Sequence, residues 1–425
     1  MRLVASCILI LIVISFAGAL STVRTPAAKS PSNDPSYVLV GGQNGTWFSS
    51  DQDPRLDKID LGNYSKNSLS PVSGDGTVWS GGWNGSQWLI SGWGTDQGLN
   101  GSDPYIFLYN GQKQVIGGSL SLYPAETTWL GGDVFAASSG GRYWLLCGLG
   151  SGNLTTYGTG NHMSLAIFDG STFTDLSPRV PHQNDEILYA NAWNGQYWLV
   201  GGGYGGDGIL FTYDGRNIVD LTQRIGEAVP GFASVQAIAW NGLYWLIGGD
   251  GFLAAYDGHE FTDLTSGLDS ILGPDIACCS SVNAIAWNGY QWMLGGGTPV
   301  AQVGYSRAWL VNYADNQFTD LTSNLSNSNS YSGGSSILSI GAIGSSWIIG
   351  GYFGSQGWLF VDNNGAFTNL SRLVSDFTYV DWIGTTALNN ASSTPYYHGY
   401  HGPTQPQTAT VVWAKDRLVS AASPY

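Results

Sequence analysis

Two histidines stand close together near the C-terminal end, in the run Tyr396-Tyr397-His398-Gly399-Tyr400-His401-Gly402-Pro403. Imidazole and phenol side chains are the ligands a copper site uses, so His398 and His401 are the first place to look for metal chemistry. The other histidines, His162, His182 and His259, are scattered. Two imidazoles in a stretch rich in Asn, Ser, Gly and Pro fix no coordination geometry by themselves. The stretch therefore reads as a surface loop, and no resident cofactor or transition metal is expected. Carboxylates form the second candidate set. Asp169, Asp214 and Asp257 each stand between an aromatic residue and a glycine, and Asp175, Asp263 and Asp320 each close a Phe-Thr-Asp triplet. A residue that recurs once per unit at one position serves the unit, so these six read as turn formers and backbone acceptors rather than acid–base pairs. A hydrolase recognising a substrate carboxylate would need clustered arginines. With only 15 Lys and Arg in the chain, none stand out as a cluster.

Aromatic residues are the third candidate set. Trp240, Trp245, Trp287 and Trp292 recur at fixed positions, which marks them as packing residues. Tyr204, Tyr305, Tyr352 and Phe353 do not recur; they follow a double glycine in connections of variable length, where a rigid scaffold carries specificity. They are the expected ligand-binding residues. Cys7 lies in the leader, Cys147 in a strand where a buried inert thiol is expected, and the adjacent Cys278 and Cys279 could pair with each other or stay reduced. Acceptor sequences for N-glycosylation occur at Asn44, Asn63, Asn84, Asn100, Asn153, Asn324, Asn369 and Asn390.

The elements that must position these residues come from one recurring unit. Its clearest copy runs Ala237-Ile-Ala-Trp240-Asn241-Gly242-Leu-Tyr-Trp245-Leu-Ile-Gly248-Gly249, then Tyr256-Asp257-Gly258-His-Glu-Phe261-Thr-Asp-Leu264. Asn-Gly and Asp-Gly between apolar runs predict tight hairpins of type I′, so each unit supplies four antiparallel strands. The Trp of the second strand returns at 88, 144, 198, 245, 292 and 347, that is, every 47 to 56 residues. One four-stranded sheet cannot bury both faces, and units stacked radially make a β-propeller.

The double Gly ending the second strand, the Tyr-Asp of the third and the aromatic of the fourth resemble the kelch repeat and galactose-oxidase-type propellers over roughly residues 37 to 371. The Trp-Asn-Gly-x-x-Trp hairpin departs from that pattern. The resemblance implies an extracellular propeller and, for the oxidases, copper ligands drawn from several blades beside a Cys–Tyr crosslink, for which no matching Cys stands here. The fold class expected is all-β, a propeller of four-stranded blades numbering seven, with six and eight as alternatives. The first unit, Tyr37-Val-Leu-Val-Gly41-Gly42, lacks its own first strand. Two C-terminal segments could supply it, Phe377 to Gly384 or Thr408 to Val419, and either would close the ring.

Composition fits this picture: 61 Gly and 18 Trp in 425 residues, with 11% charged residues against roughly 25% in ordinary domains. A net charge of −15 excludes nucleic acid as a partner. Arg2 followed by an apolar run from Leu3 to Leu20 reads as an export signal cleaved near Ala19 or as an uncleaved anchor, the only expected link to a membrane. Residues 21–36 read as a stalk and 37–425 as the propeller, in which 377–410 includes an irregular excursion. The function expected from these features is an exported, non-enzymatic scaffold binding protein or glycan at one propeller face. The alternative is a secreted enzyme on the same ring, a copper oxidase or a carbohydrate-active protein.

Overall fold

The computed structural model describes residues 37–45, 53–69, 76–94, 103–111, 113–115, 133–154, 158–181, 186–204, 206–273, 280–300, 305–325 and 334–385. They form seven four-stranded antiparallel sheets, and the chain is an all-β, seven-bladed propeller. Two short helices, Thr222–Ala228 and Thr265–Leu272, follow the outermost strands of blades 4 and 5. No helix among the described residues is long and apolar enough to cross a membrane.

The innermost strands of blades 2 to 7 are Gly76–Trp83, Asp133–Gly140, Ile187–Trp193, Val235–Trp240, Ser281–Trp287 and Ser335–Ile343. Blade 1 takes its innermost strand from the other end of the chain. Tyr379–Gly384 pairs antiparallel with Tyr37–Asn44, with Leu39 opposite Gly384 and Gln43 opposite Tyr379. The first of the two C-terminal candidates therefore closes the ring, as the buried strand Tyr379–Gly384. Thr408 to Val419 lies outside the described residues. Lys66 reinforces the seam, standing 3.1 Å from Asp57 and 2.6 Å from Asp376 and so tying blade 1 to the residues before the closing strand.

The double glycine has a steric cause. A Cβ on its first member would lie 2.5–2.6 Å from an aliphatic side chain of the next innermost strand: Gly41 from Val78, Gly201 from Val235, Gly248 from Val282, Gly295 from Ile337 and Gly350 from Val380. A Cβ on its second member would lie within 1.9–2.1 Å of a carbonyl oxygen on its own blade's innermost strand. That holds at this position in all seven blades: at Gly42, Gly202, Gly249, Gly296 and Gly351, and at Gly92 and Gly148, which follow Ser91 and Cys147 instead of a glycine. No side chain fits there. In each blade the register of the innermost strand shifts by one residue just past that carbonyl. The double glycine and this β-bulge are one device.

The Asn-Gly and Asp-Gly hairpins form, but not as type I′ turns. Trp240 pairs with Trp245 and Tyr256 with Phe261, which leaves four-residue loops. Only the glycine has positive φ (Gly242 +98°, Gly258 +99°), while Asn241 and Asp257 are absent from the positive-φ residues. The Asx side chain closes the loop instead. Asn241 Oδ1 accepts from the N–H groups of Leu243 and Tyr244, and Asp257 Oδ1 from those of His259 and Glu260. Two-residue loops with positive φ at both positions occur at Asp315-Asn316 and Asn364-Gly365.

The recurring tryptophans pack between blades. Trp245 is sealed against Ala190, Leu199 and Leu210 of blade 4, and Trp292 against Leu246 and Leu253 of blade 5. The second aromatic pair of each unit stacks across the outer hairpin, with centroids 4.2 Å apart for Tyr256–Phe261 and 4.4 Å for Tyr313–Phe318.

Candidate functional site

In a stack of blades each sheet face meets a neighbour, so the bulged residue of the innermost strand is the one turned to the axis. In blade 5, Val235 and Ile238 pack to one side and Ala237 and Ala239 to the other, leaving Gln236 in neither cluster. The seven axial residues, in order round the ring, are Asp381, Trp79, Phe135, Tyr189, Gln236, Asn283 and Leu338, all buried. They split into two walls. Trp79 stacks on Phe135 at 4.7 Å and Phe135 meets Tyr189 at 5.6 Å, with Trp93 6.4 Å from Trp79. Opposite them stand amides and hydroxyls. Gln236 donates to Ser234 Oγ at 3.1 Å, Asn283 to Ser336 Oγ at 2.9 Å, and Ser280 to Thr298 Oγ1 at 2.7 Å; Ser281 donates to Asp250.

The mouth of this axis lies where the innermost strands begin. Asp133 is the first residue of the blade 3 strand and sits beside the aromatic wall; Glu186 immediately precedes the blade 4 strand. Asp133 is half-buried, and burial with no offsetting charge or donor pushes its carboxyl up to about 7. A carboxyl ionising near neutrality at a partly open position is suited to general acid–base work. Deeper down, Asp381 is fully buried and its carboxyl is held far above the usual range by desolvation.

The repeated carboxylates behave as turn residues. Asp169, Asp214 and Asp257 each accept two backbone N–H bonds, which hold them below the usual carboxylate range. Asp175, Asp263 and Asp320 accept the N–H of Ser177, Thr265 and Thr322, whose hydroxyls in turn accept from Leu165, Leu253 and Leu310. Cys147 is buried beside the Asn191 amide (3.1 Å) and its thiol is pushed up to about 12.

Tyr204, Tyr352 and Phe353 end second strands and Tyr305 begins a third strand, so the topology brings all four to the face that carries the mouth. Tyr204 is 60% exposed, whereas Tyr352 is buried against Tyr379 at 5.0 Å and Phe353 is half-buried. Of the glycosylation candidates, Asn63, Asn324 and Asn369 are exposed and Asn44 and Asn84 half-buried; Asn153 lies in a strand. Asn100, Asn390, Cys278, Cys279, His398 and His401 lie outside the described residues. Among the described residues, no three His, Cys, Asp or Glu side chains gather as a metal site.

No protein-family model matches the chain, and neither does any curated protein. Solved structures do resemble it. One is the acylaminoacyl peptidase of Pyrococcus horikoshii, at 10% identity and TM-score 0.47 over 79% of this chain and 50% of that one. Another is the periplasmic gluconolactonase of Pseudomonas aeruginosa, at 12% and 0.49 over 81% and 98%. A third is the propeller domain of the Trilobed protease of Pyrococcus furiosus, at 8% and 0.41 over 70% and 84%. The chain thus spans half the length of the peptidase. At these identities and scores the likeness describes the fold alone: the class is the β-propeller. It does correct one expectation. The expected non-enzymatic scaffold is set aside against solved structures that are named as an acylaminoacyl peptidase and a gluconolactonase.

Proposed function

We propose that the chain is a hydrolytic enzyme acting on a sugar-like substrate at the axial mouth, with Asp133 exchanging the proton. The observation that carries this reading is the half-buried Asp133 carboxyl, raised to about 7, next to a wall of aromatic rings. The carboxylate would take a proton from water as the water oxygen bonds to the substrate carbon, and the acid so formed would return it to the departing oxygen. Half-buried Trp93, 6.4 Å from Trp79, would take the apolar face of a sugar ring at the mouth. Exposed Tyr204 on the same face would extend the contact. The kelch-like double glycine and the apolar run 3–20 support an exported, kelch-type member of the propeller class. The test is a panel of aryl glycosides and sugar lactones assayed across pH. Hydrolysis of at least one, with kcat/KM governed by an ionisation near 7 and lowered ~10²–10⁴-fold in a folded Asp133→Asn variant, is expected. Absence of turnover on the whole panel, or equal rates for the variant, contradicts it.

A further inference from the structure

The polar wall of the axis has an imbalance the mouth does not use. Asp381 is completely buried, and neither carboxyl oxygen has a hydrogen-bond partner among the described residues. Asn283, 1% exposed, donates both to Ser336 Oγ (2.9 Å) and to the carbonyl of Ile337 (3.1 Å), while its Oδ1 has no partner. Those two bonds lean Asn283 toward blade 7, whose innermost strand adjoins the strand of Asp381. Leu338, the axial residue between them, is apolar. On these two axial side chains the atoms left over are three oxygens, and the unpartnered hydroxyl on the innermost strand between them is Ser339 Oγ. A buried carboxylate without a counter-charge is expensive, and each orphaned acceptor adds to the cost. An occupant that brings positive charge and bonds only to oxygen removes both costs.

We propose that the propeller axis holds a calcium ion ligated by Asp381 and by Oδ1 of Asn283, with water completing its shell. Carboxylate and amide oxygens suit a hard cation rather than copper or zinc. Calcium accepts irregular oxygen shells better than magnesium, which demands a near-ideal octahedron, and ligands that come from separate blades cannot be adjusted together. The ion would link the closing strand, which carries Asp381, to the innermost strand of blade 6, which carries Asn283.

The experiment is thermal unfolding of the full chain after chelator treatment and dialysis, with and without millimolar CaCl2, for wild type, Asp381→Asn and Asn283→Asp. Calcium is expected to raise the wild-type midpoint by roughly 3–8 °C, as binding to the native state alone requires. The shift should vanish in Asp381→Asn. Asn283→Asp, which adds a second carboxylate and keeps the shape, should lower the half-saturating CaCl2 about tenfold or more. A wild-type midpoint that ignores calcium, or a shift of equal size in Asp381→Asn, overturns the proposal. If Asp381→Asn fails to fold, an unchanged half-saturation in Asn283→Asp overturns it alone.

Discussion

The hairpin tips and the axis of this ring use the same residue types under opposite constraints. At the tips, Gly242 has a φ of +98° and open space where a Cβ would go. Near the axis, Gly296 has ordinary φ but a carbonyl oxygen 1.9 Å from its absent Cβ. At the tips, Asp257 is exposed and held low by two backbone N–H groups; at the axis, Asp133 and Asp381 are held high by burial. The tips repeat from blade to blade and build the fold. The axial position carries a different residue type in every blade, and there the chemistry collects.

The sharpest way to break this contrast is a pair of alanines. Gly296→Ala forces the Ser281 carbonyl and the bulge apart, with a cost on the order of 3–5 kcal/mol, or failure to fold. Gly242→Ala meets no atom and costs only its positive φ, about 1 kcal/mol. Urea unfolding of both variants checks this; equal costs would mean that the double glycine is not shaped by the bulge. A smaller effect follows from Asp133. Its folded form binds a proton more tightly than the unfolded chain, so stability falls as pH rises from the ordinary carboxylate value through about 7. Asp133→Asn should therefore gain about 1–2 kcal/mol on wild type between roughly pH 4 and 8, after allowance for solvent screening at a half-buried group. The turn carboxylates run the other way: the stability they add is present at neutral pH and lost only as pH falls below their ordinary value. A gap between the two proteins that stays constant with pH would place Asp133 among them.

Much of the ring was legible because repetition amplifies weak signals. Trp245 or Gly248-Gly249 alone would say little, but seven copies specify blade, period and strand order, and the half-unit at Tyr37 points to closure by the C-terminal side. The turn type was misread because Asn-Gly suggests a two-residue I′ loop, while here Asn241 closes a four-residue loop through its own side chain. The axial residues were missed for the opposite reason: they do not repeat. A signal does exist, an aliphatic residue followed by a variable one and then a small one, as in Val78-Trp79-Ser80, Leu188-Tyr189-Ala190, Val235-Gln236-Ala237 and Val282-Asn283-Ala284. Its middle position looks like noise until the bulge shows that it leaves the sheet. Asp133 was overlooked although it precedes such a triplet, Val134-Phe135-Ala136, because its own position does not recur as a carboxylate and its ionisation depends on burial that only the packed ring supplies.

The claim that the axis, not the turns, carries the acid–base chemistry is tested most directly by infrared difference titration of carboxyl groups in wild type and Asp133→Asn. The account predicts one carboxyl per chain ionising near pH 7 in the wild type and missing from the variant. A wild-type spectrum with no carboxyl ionising between roughly pH 6 and 8, or the same ionisation in Asp133→Asn, would contradict it.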